Sequence, residues 1–344
     1  MRNLVILMTM SVALAYPLDK MGMPIPYMLV PMLLAIYFQE KELTYNWQIK
    51  WRNWALVPIG YALGERFDIN TCHEIAAHFT GIVSSTFLLI TASVGYAYYI
   101  SKHTPINFAS SVIGNIPGGL QQMIVLSEEI KDTDPNAIIV MQIMRMISTI
   151  VAIPFLAMYA LTPAAQGVAS IVQTVPSNFV WFEYPILVVL VVLSVSLSLR
   201  FKIPTPYMMG PLVIVGLVNI FWQNVPDMPV LVLRLAQVFV GVQMGRVIEL
   251  GRMFSIRRHL PMIISSSLVI IVFCFLIAKW LSYQYGYSLA TAFLAAAPGG
   301  IAEMSIVGMG IGANIATIIS YQLFRLLFIY LAVPVTIKWY FNRA

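Results

Sequence analysis

The chain has 344 residues, of which 60% are hydrophobic and only 10% are charged. A soluble domain usually carries about 25% charged residues, and the mean hydropathy here is +0.83. The composition therefore excludes a soluble globular domain and predicts an all-α, polytopic integral membrane protein. The formal net charge of +6 does not indicate a nucleic-acid partner, because the cytoplasmic loops of membrane proteins concentrate Lys and Arg.

The first apolar stretch follows Arg2 and resembles a signal peptide. We expect it to be a membrane span instead, because Ala13-Leu14-Ala15 is a weak cleavage site. The stretch also has a counterpart in the second half of the chain, as the repeated motifs show.

Three motifs occur twice, at an offset of 180 or 181 residues. The pairs are Pro24-x-Pro26-Tyr27-Met28 with Pro204-x-Pro206-Tyr207-Met208, Gly60-x-x-x-Gly64 with Gly241-x-x-x-Gly245, and Pro117-Gly118-Gly119 with Pro298-Gly299-Gly300. The sequence therefore predicts a duplication. It divides into a first membrane repeat at 1–160, an uncharged linker at 161–182 and a second membrane repeat at 183–344.

The two Pro-Gly-Gly triplets lie inside apolar segments, where they are expected to interrupt a helix. Proline lacks the N–H and clashes with the preceding turn, and glycine loses backbone entropy in a helix. In a membrane, backbone groups freed by such a break must be buried in protein or line a wet cavity. Interrupted segments at matching positions of two halves indicate the binding site of a transporter. Each triplet is compatible with a re-entrant hairpin or with a broken helix that crosses.

The positive charges distinguish two topologies. Each half has six apolar segments, and five of them cross if the Pro-Gly-Gly segment enters and leaves on one side. That arrangement places 14 of the 20 Lys and Arg residues on the cytoplasmic side, 4 outside and 2 within spans, whereas twelve crossings divide them 9 against 9. The positive-inside rule therefore predicts about ten spans in two inverted five-span repeats. Both termini are then cytoplasmic, in the inner (cytoplasmic) membrane.

Two arginines lie in the middle of apolar runs. Arg145 and Arg325 occupy matching positions, and each follows a glutamine, Gln142 or Gln322, by three residues. Residues three apart share a helix face, and ionisable residues inside a membrane are functional candidates. Two interpretations stay open. Each Arg binds an anionic solute, or each Arg satisfies the backbone carbonyls that the neighbouring break frees.

Glu303 differs from its counterpart Gln122, so the two halves carry a carboxylate and a neutral amide at one position. A buried carboxylate tends to hold its proton unless a cation is near, which suits proton or cation coupling. The alternative is a structural ion pair with one of the two arginines. The predicted substrate-binding residues are Pro117, Gly118, Gly119, Gln121, Gln122, Gln142, Arg145, Pro298, Gly299, Gly300, Glu303, Gln322 and Arg325.

The paired Pro-Gly-Gly-x-x-x-Met segments, each followed by Gln-x-x-Arg and then by Pro154 or Pro334, resemble the AbrB membrane protein family over nearly the whole chain. This family is distinct from the soluble DNA-binding regulator of the same name. The resemblance implies two functional labels, regulator of gene expression and ammonia monooxygenase. The second has no support here, because the sequence offers no copper or iron ligand constellation. The motifs are also more loosely similar to inverted-repeat secondary transporters with interrupted helices.

We therefore expect a secondary transporter of a small solute with its site between the two Pro-Gly-Gly segments. Two arginines and the N-termini of broken helices favour an anion. The alternative is a membrane sensor or regulator of gene expression that transports nothing. We expect no enzymatic activity, no cofactor and no metal, since Cys72 and Cys274 have no spacing partner. The expected partners are the solute and membrane lipid, without nucleic acid, and a homo-oligomer stays open.

Overall fold

A computed structural model describes residues 2–67, 69–130, 132–161, 183–222, 225–248 and 260–341. Within these ranges the regular structure is entirely helical, which confirms the predicted all-α class. Five of the described helices are long and apolar enough to cross a membrane, and three shorter ones are also apolar.

The helices of the two halves occur in the same order. The first half contains α1 (Arg2–Lys20), α2 (Pro26–Glu40), α3 (Ile49–Gly64), α4 (Ile69–Ala77), α5 (Phe79–His103), α6 (Phe108–Asn115), α7 (Leu120–Glu128) and α8 (Pro135–Phe155), which continues as a π-helical turn (Leu156–Leu161). The second half contains α9 (Glu183–Arg200), α10 (Pro206–Trp222), α11 (Val230–Val247), α12 (Leu260–Tyr285), α13 (Leu289–Ala296), α14 (Ile301–Gly310) and α15 (Ile315–Phe341).

The chain forms two compact units, and each unit draws on both halves. The first contains α1–α3, nearly all of α4, and α9–α11. The second contains α5–α8, α12, α13 and α15, and the division falls within α14, between Met304 and Ser305. The predicted division into repeats at 1–160 and 183–344 follows the duplication of the sequence. The compact units instead combine matching parts of the two repeats.

In the first unit, α2 packs on α11 and α3 packs on α10. A methyl group added at Gly60 would overlap the backbone carbonyl of Met208, and one added at Gly241 would overlap that of Met28. Small residues let helix backbones approach this closely. The Gly-x-x-x-Gly motif of each half is therefore the surface on which the Pro-x-Pro-Tyr-Met helix of the other half rests.

Two loop contacts of the first unit are related by the duplication but have opposite polarity. The Glu65 carboxylate accepts a hydrogen bond from the backbone N–H of Met228 at 3.0 Å. At the matching positions, Arg246 donates to the backbone carbonyl of Trp47 at 3.3 Å. The Glu65 side chain is only 6% exposed. Burial raises the pKa of Glu65 to about 7, although the Met228 hydrogen bond and Arg66 oppose the rise.

In the second unit, α5 and α12 are matching helices that run antiparallel. His78, just before α5, is hydrogen-bonded to the hydroxyl of Tyr287, just after α12. Near the opposite ends, the hydroxyls of Tyr96 and Ser265 share a hydrogen bond of 2.7 Å. A buried apolar cluster formed by α5–α8 and α15 encloses Ile116 and Met123, on either side of the first Pro-Gly-Gly triplet.

Glu65 gives a pH-dependent contribution to stability. Because its folded-state pKa of about 7 lies above the ordinary value of 4.5, the contribution is complete below pH 4.5 and is lost as the pH rises toward 7. We expect Glu65→Gln, which cannot lose a proton, to be more stable than the wild type at pH 8 by roughly 3 kcal/mol. The two proteins should melt alike at pH 4.

Thermal unfolding of the detergent-purified protein between pH 4 and 8 measures this difference. Glu40→Gln is the control, because Glu40 is exposed at the end of α2 and its replacement should leave the pH profile unchanged. A Glu65→Gln protein whose melting temperature follows the wild-type pH profile would contradict the assignment.

Candidate functional site

Both Pro-Gly-Gly triplets belong to the second unit, and each lies between two short helices. In the first half, α6 ends at Asn115, Ile116 is extended with φ −63° and ψ 129°, and α7 begins after the triplet. In the second half, α13 ends one residue before Ala297, which is also extended with φ −60° and ψ 138°, and α14 follows. The chain therefore contains the same helix–break–helix arrangement twice.

The methionine of each motif leaves no room for a side chain at the first glycine of its triplet. The Met123 methyl group occupies the space that a side chain at Gly118 would need, and Met304 does the same at Gly299. Both methionines are fully buried. A side chain on either glycine would displace this methionine, so the pair fixes the turn from the break into the second helix.

The two glutamines predicted from the sequence bind the end of the helix that precedes each break. Gln142 Nε2 donates to the carbonyls of Ile113 at 2.9 Å and Ile116 at 3.0 Å. Gln322 Nε2 donates to the matching carbonyls of Leu294 at 2.8 Å and Ala297 at 3.0 Å. Each amide thus pairs carbonyls that have no partner within the helix.

The two arginines bind the backbone of the break itself. Arg145 donates to the carbonyls of Ile116 at 2.9 Å and Gly118 at 3.3 Å, and to Gln142 Oε1 at 2.7 Å. A cation and its donors stabilise the carbonyl end of a helix, where the dipole is negative.

Arg325 repeats this pattern in the second half. It donates to the carbonyls of Ala296 at 3.0 Å and Gly299 at 3.3 Å, and to Gln322 Oε1. These are the contacts that the structural interpretation of the arginines requires.

The two halves differ at the residue that follows each triplet by three positions. Gln122 Nε2 donates to the carbonyl of Tyr330 at 3.2 Å. The Glu303 carboxylate instead folds back over Gly300, where an added methyl group would overlap it. The side chain of Gln121 lies outside the described residues.

Sequence reasoning missed Ser111 and Asn115, which lie four residues apart on α6 and are buried. Ser111 Oγ and Asn115 Nδ2 have no hydrogen-bond partner, and neither has Arg145 Nε. The available signal was a polar residue directly before Ile116-Pro117 inside an apolar run. The matching residues of α13 are Ala292 and Ala296, so the polar groups belong to the first half alone.

Among the residues that the structure describes, no cluster of three or more His, Cys, Asp and Glu side chains could hold a metal ion. The chemistry present at the breaks consists of amide and guanidinium donors, backbone groups and one carboxylate.

Long apolar helices, with two helix breaks each braced by a buried Gln–Arg pair, define a duplicated α-helical membrane protein. The chain belongs to the AbrB family, described as transition state regulatory protein AbrB, which matches residues 27–341. YhjN of Bacillus subtilis (strain 168) is 24% identical over 297 residues, 83% of this chain and 77% of YhjN. The "Putative regulator AbrB" of Escherichia coli (strain K12) is 20% identical over 333 residues, 95% of this chain and 93% of that protein.

Replacing an arginine tests its role at the break. Arg145→Met removes the side-chain donor of the Gly118 carbonyl and leaves Gln142 as the one side-chain donor of the Ile116 carbonyl. An unpaired buried group costs about 1–3 kcal/mol. We therefore expect a lower melting temperature than for Arg145→Lys, whose single ammonium keeps the charge and reaches part of the acceptor set. Arg325→Met and Arg325→Lys should behave in the same order.

The measurement is thermal unfolding of each purified variant, with Arg200→Met as the control because Arg200 is exposed at the end of α9. If Arg145→Met and Arg325→Met melted like the wild type, the arginines would not brace the breaks.

Proposed function

We propose that this protein is a secondary transporter of a small anionic solute in the cytoplasmic membrane, with its binding site at the two helix breaks. The observation that carries the proposal is the pair of breaks, each braced by a buried Gln–Arg pair in the second unit. Transporters of the broken-helix type bind substrate and coupling ion at such positions. The proposal includes no catalytic step and no cofactor.

The proposed topology has ten crossings in two inverted repeats. The antiparallel α5 and α12 support it, because matching helices of parallel repeats would cross in the same direction. The distribution of Lys and Arg supports it independently, and it also supports a cytoplasmic location for both termini.

Cysteine labelling from the outside tests this topology. In a background with Cys72 and Cys274 replaced, a membrane-impermeant maleimide should modify Arg66→Cys in intact cells and should leave Lys41→Cys unmodified until the membrane is opened. These positions follow the consecutive helices α3 and α2, which the proposed topology directs to opposite sides. Labelling of Lys41→Cys alone would show that the protein has the opposite orientation in the membrane. Equal labelling of the two positions would contradict the proposed topology.

Glu303 is the proposed coupling residue. It is the acidic residue in the first turn of α14, and its carboxylate lies over the glycine of the second break. A carboxylate at this position exchanges a proton or binds a cation as the surrounding charges change. Gln122, its neutral counterpart, keeps one state at all pH values, so one half of the duplication holds the titrating group.

A regulatory function is the second candidate, and the name of the Escherichia coli relative, a regulator, favours it. A regulator of this kind would act through loops and partner proteins. It would move no solute across a sealed bilayer, whereas a transporter would do so without any other protein.

Reconstitution into proteoliposomes separates these functions. We expect the wild type to exchange small radiolabelled carboxylates and to accumulate them when a proton or sodium gradient is imposed. Glu303→Gln keeps the size of the side chain but cannot release a proton. It should retain exchange and lose accumulation together with its pH dependence.

Glu128→Gln is the matched control, because Glu128 is exposed at the end of α7, and it should accumulate solute normally. Glu303→Gln liposomes that accumulate solute with an unchanged pH dependence would remove the coupling role. Wild-type liposomes that move no tested anion would favour the regulator.

A further inference from the structure

The duplication places a carboxylate at the N-terminus of the helix after the second break. Glu303 is the third residue of α14, and its carboxylate folds back over Gly300, directly before the helix. A glutamate at this position reaches back to the unpaired N–H groups that begin a helix, and the positive end of the helix dipole favours its charge. The second break thus supplies its own anion.

The first break offers the same position without an anion. Gly119 precedes α7 with φ −70° and ψ 132°, and no side chain caps the helix there. A methyl group added at Gly119 would meet no atom within 4 Å. Gln122, which matches Glu303, turns its amide to the carbonyl of Tyr330 instead. In the first half, no residue whose side chain the structure describes fills the space that the Glu303 carboxylate fills in the second.

Unpartnered donors lie at the first break. Asn115 is the last residue of α6, is 2% exposed, and its Nδ2 has no hydrogen-bond partner. The guanidinium of Arg145, which is 8% exposed, reaches the carbonyls of Ile116 and Gly118, and its Nε is also unpartnered. Buried donors of this kind normally have an acceptor. Ala296 takes the place of Asn115 in the second half, beside the break that Glu303 caps.

The side-chain charges at the two breaks also do not cancel. Arg145 and Arg325 contribute two positive charges at the breaks, and Glu303 contributes one negative charge. One further negative charge would neutralise these three side chains. Isolated charge is costly in an apolar interior, so a single monovalent anion is the ligand that completes the set.

We infer that the first break binds the carboxylate of a small monocarboxylic acid at the N-terminus of α7. The ligand carboxylate would take the position that Glu303 takes in the second half, with Asn115 and Arg145 as additional donors. This inference rests on the proposed site and specifies its solute class and its half of the duplication. The two breaks thus differ: the second holds the carboxylate of Glu303, and the first would hold the carboxylate of the ligand.

Thermal unfolding of the purified full-length protein tests the inference with acetate as the probe and chloride as the balancing anion at constant ionic strength. A ligand that binds the folded state raises the melting temperature with concentration. We expect a saturable rise with acetate and none with acetamide, which has a similar size but no charge.

Three variants make the test specific. Gln122→Glu places the carboxylate of the second half in the first, so it should abolish the acetate-dependent rise and melt higher without ligand. Gly119→Ala keeps an allowed backbone and clashes with nothing, but its methyl group fills the position, so it should reduce the rise at least several-fold. Gly95→Ala, which also meets no atom within 4 Å, is the matched control and should keep the full rise.

Glu303→Gln keeps a side chain of the same size in the second position but removes its negative charge, so the acetate-dependent rise should be larger than in the wild type. The inference is overturned if the wild type shows no saturable response to acetate, or if Gln122→Glu and Gly119→Ala respond like the wild type. The experiments distinguish a failure of this inference from a failure of the transport proposal. Saturable acetate binding without flux in liposomes contradicts the transport proposal alone, whereas gradient-driven acetate uptake that Gln122→Glu leaves intact contradicts this inference alone.

Discussion

The pairing of backbone carbonyls at the two helix breaks is the constraint on which the second unit depends. A helix that ends inside an apolar interior leaves its last carbonyls without partners or water. Gln142 and Arg145, with their counterparts Gln322 and Arg325, supply side-chain donors to these carbonyls in both halves. The guanidinium is suited to this task, because it stays charged and its planar fork reaches several acceptors at once. The broken helices and the buried arginines therefore require one another.

The duplication keeps geometry and changes polarity. In the first unit, Glu65 accepts from a backbone N–H where its counterpart Arg246 donates to a backbone carbonyl. In the second unit, Gln122 is neutral where Glu303 is acidic. Helix packing and break geometry need both copies to stay alike, since each half rests on the glycines of the other. The proposed function needs them to differ, because two identical breaks would offer two identical sites.

Much of the fold followed from the sequence because its signals are local. Composition predicted membrane helices, and Pro-Gly-Gly marked both helix breaks. The interleaved compact units could not be predicted, because the pairing of α2 with α11 depends on contacts between residues far apart in the chain. The sequence predicted the Gln–Arg pairs as site residues, but it did not decide whether the arginines bind backbone carbonyls or an anion. The unpartnered Asn115 was missed, because its counterpart Ala296 is apolar and the position therefore gives no repeated signal.

The contacts of the arginines bear on how the proposed site would select a solute. Because Arg145 and Arg325 already donate to the breaks, most of their hydrogen-bonding capacity serves the scaffold. Their charge still acts on an anion, since an electrostatic field does not require a direct hydrogen bond. Orientation must then come from donors that the scaffold leaves unpaired, and those lie at the first break. In the proposed transporter, the scaffold would set the sign of the solute charge, and the divergence between Asn115 and Ala296 would set where the solute binds.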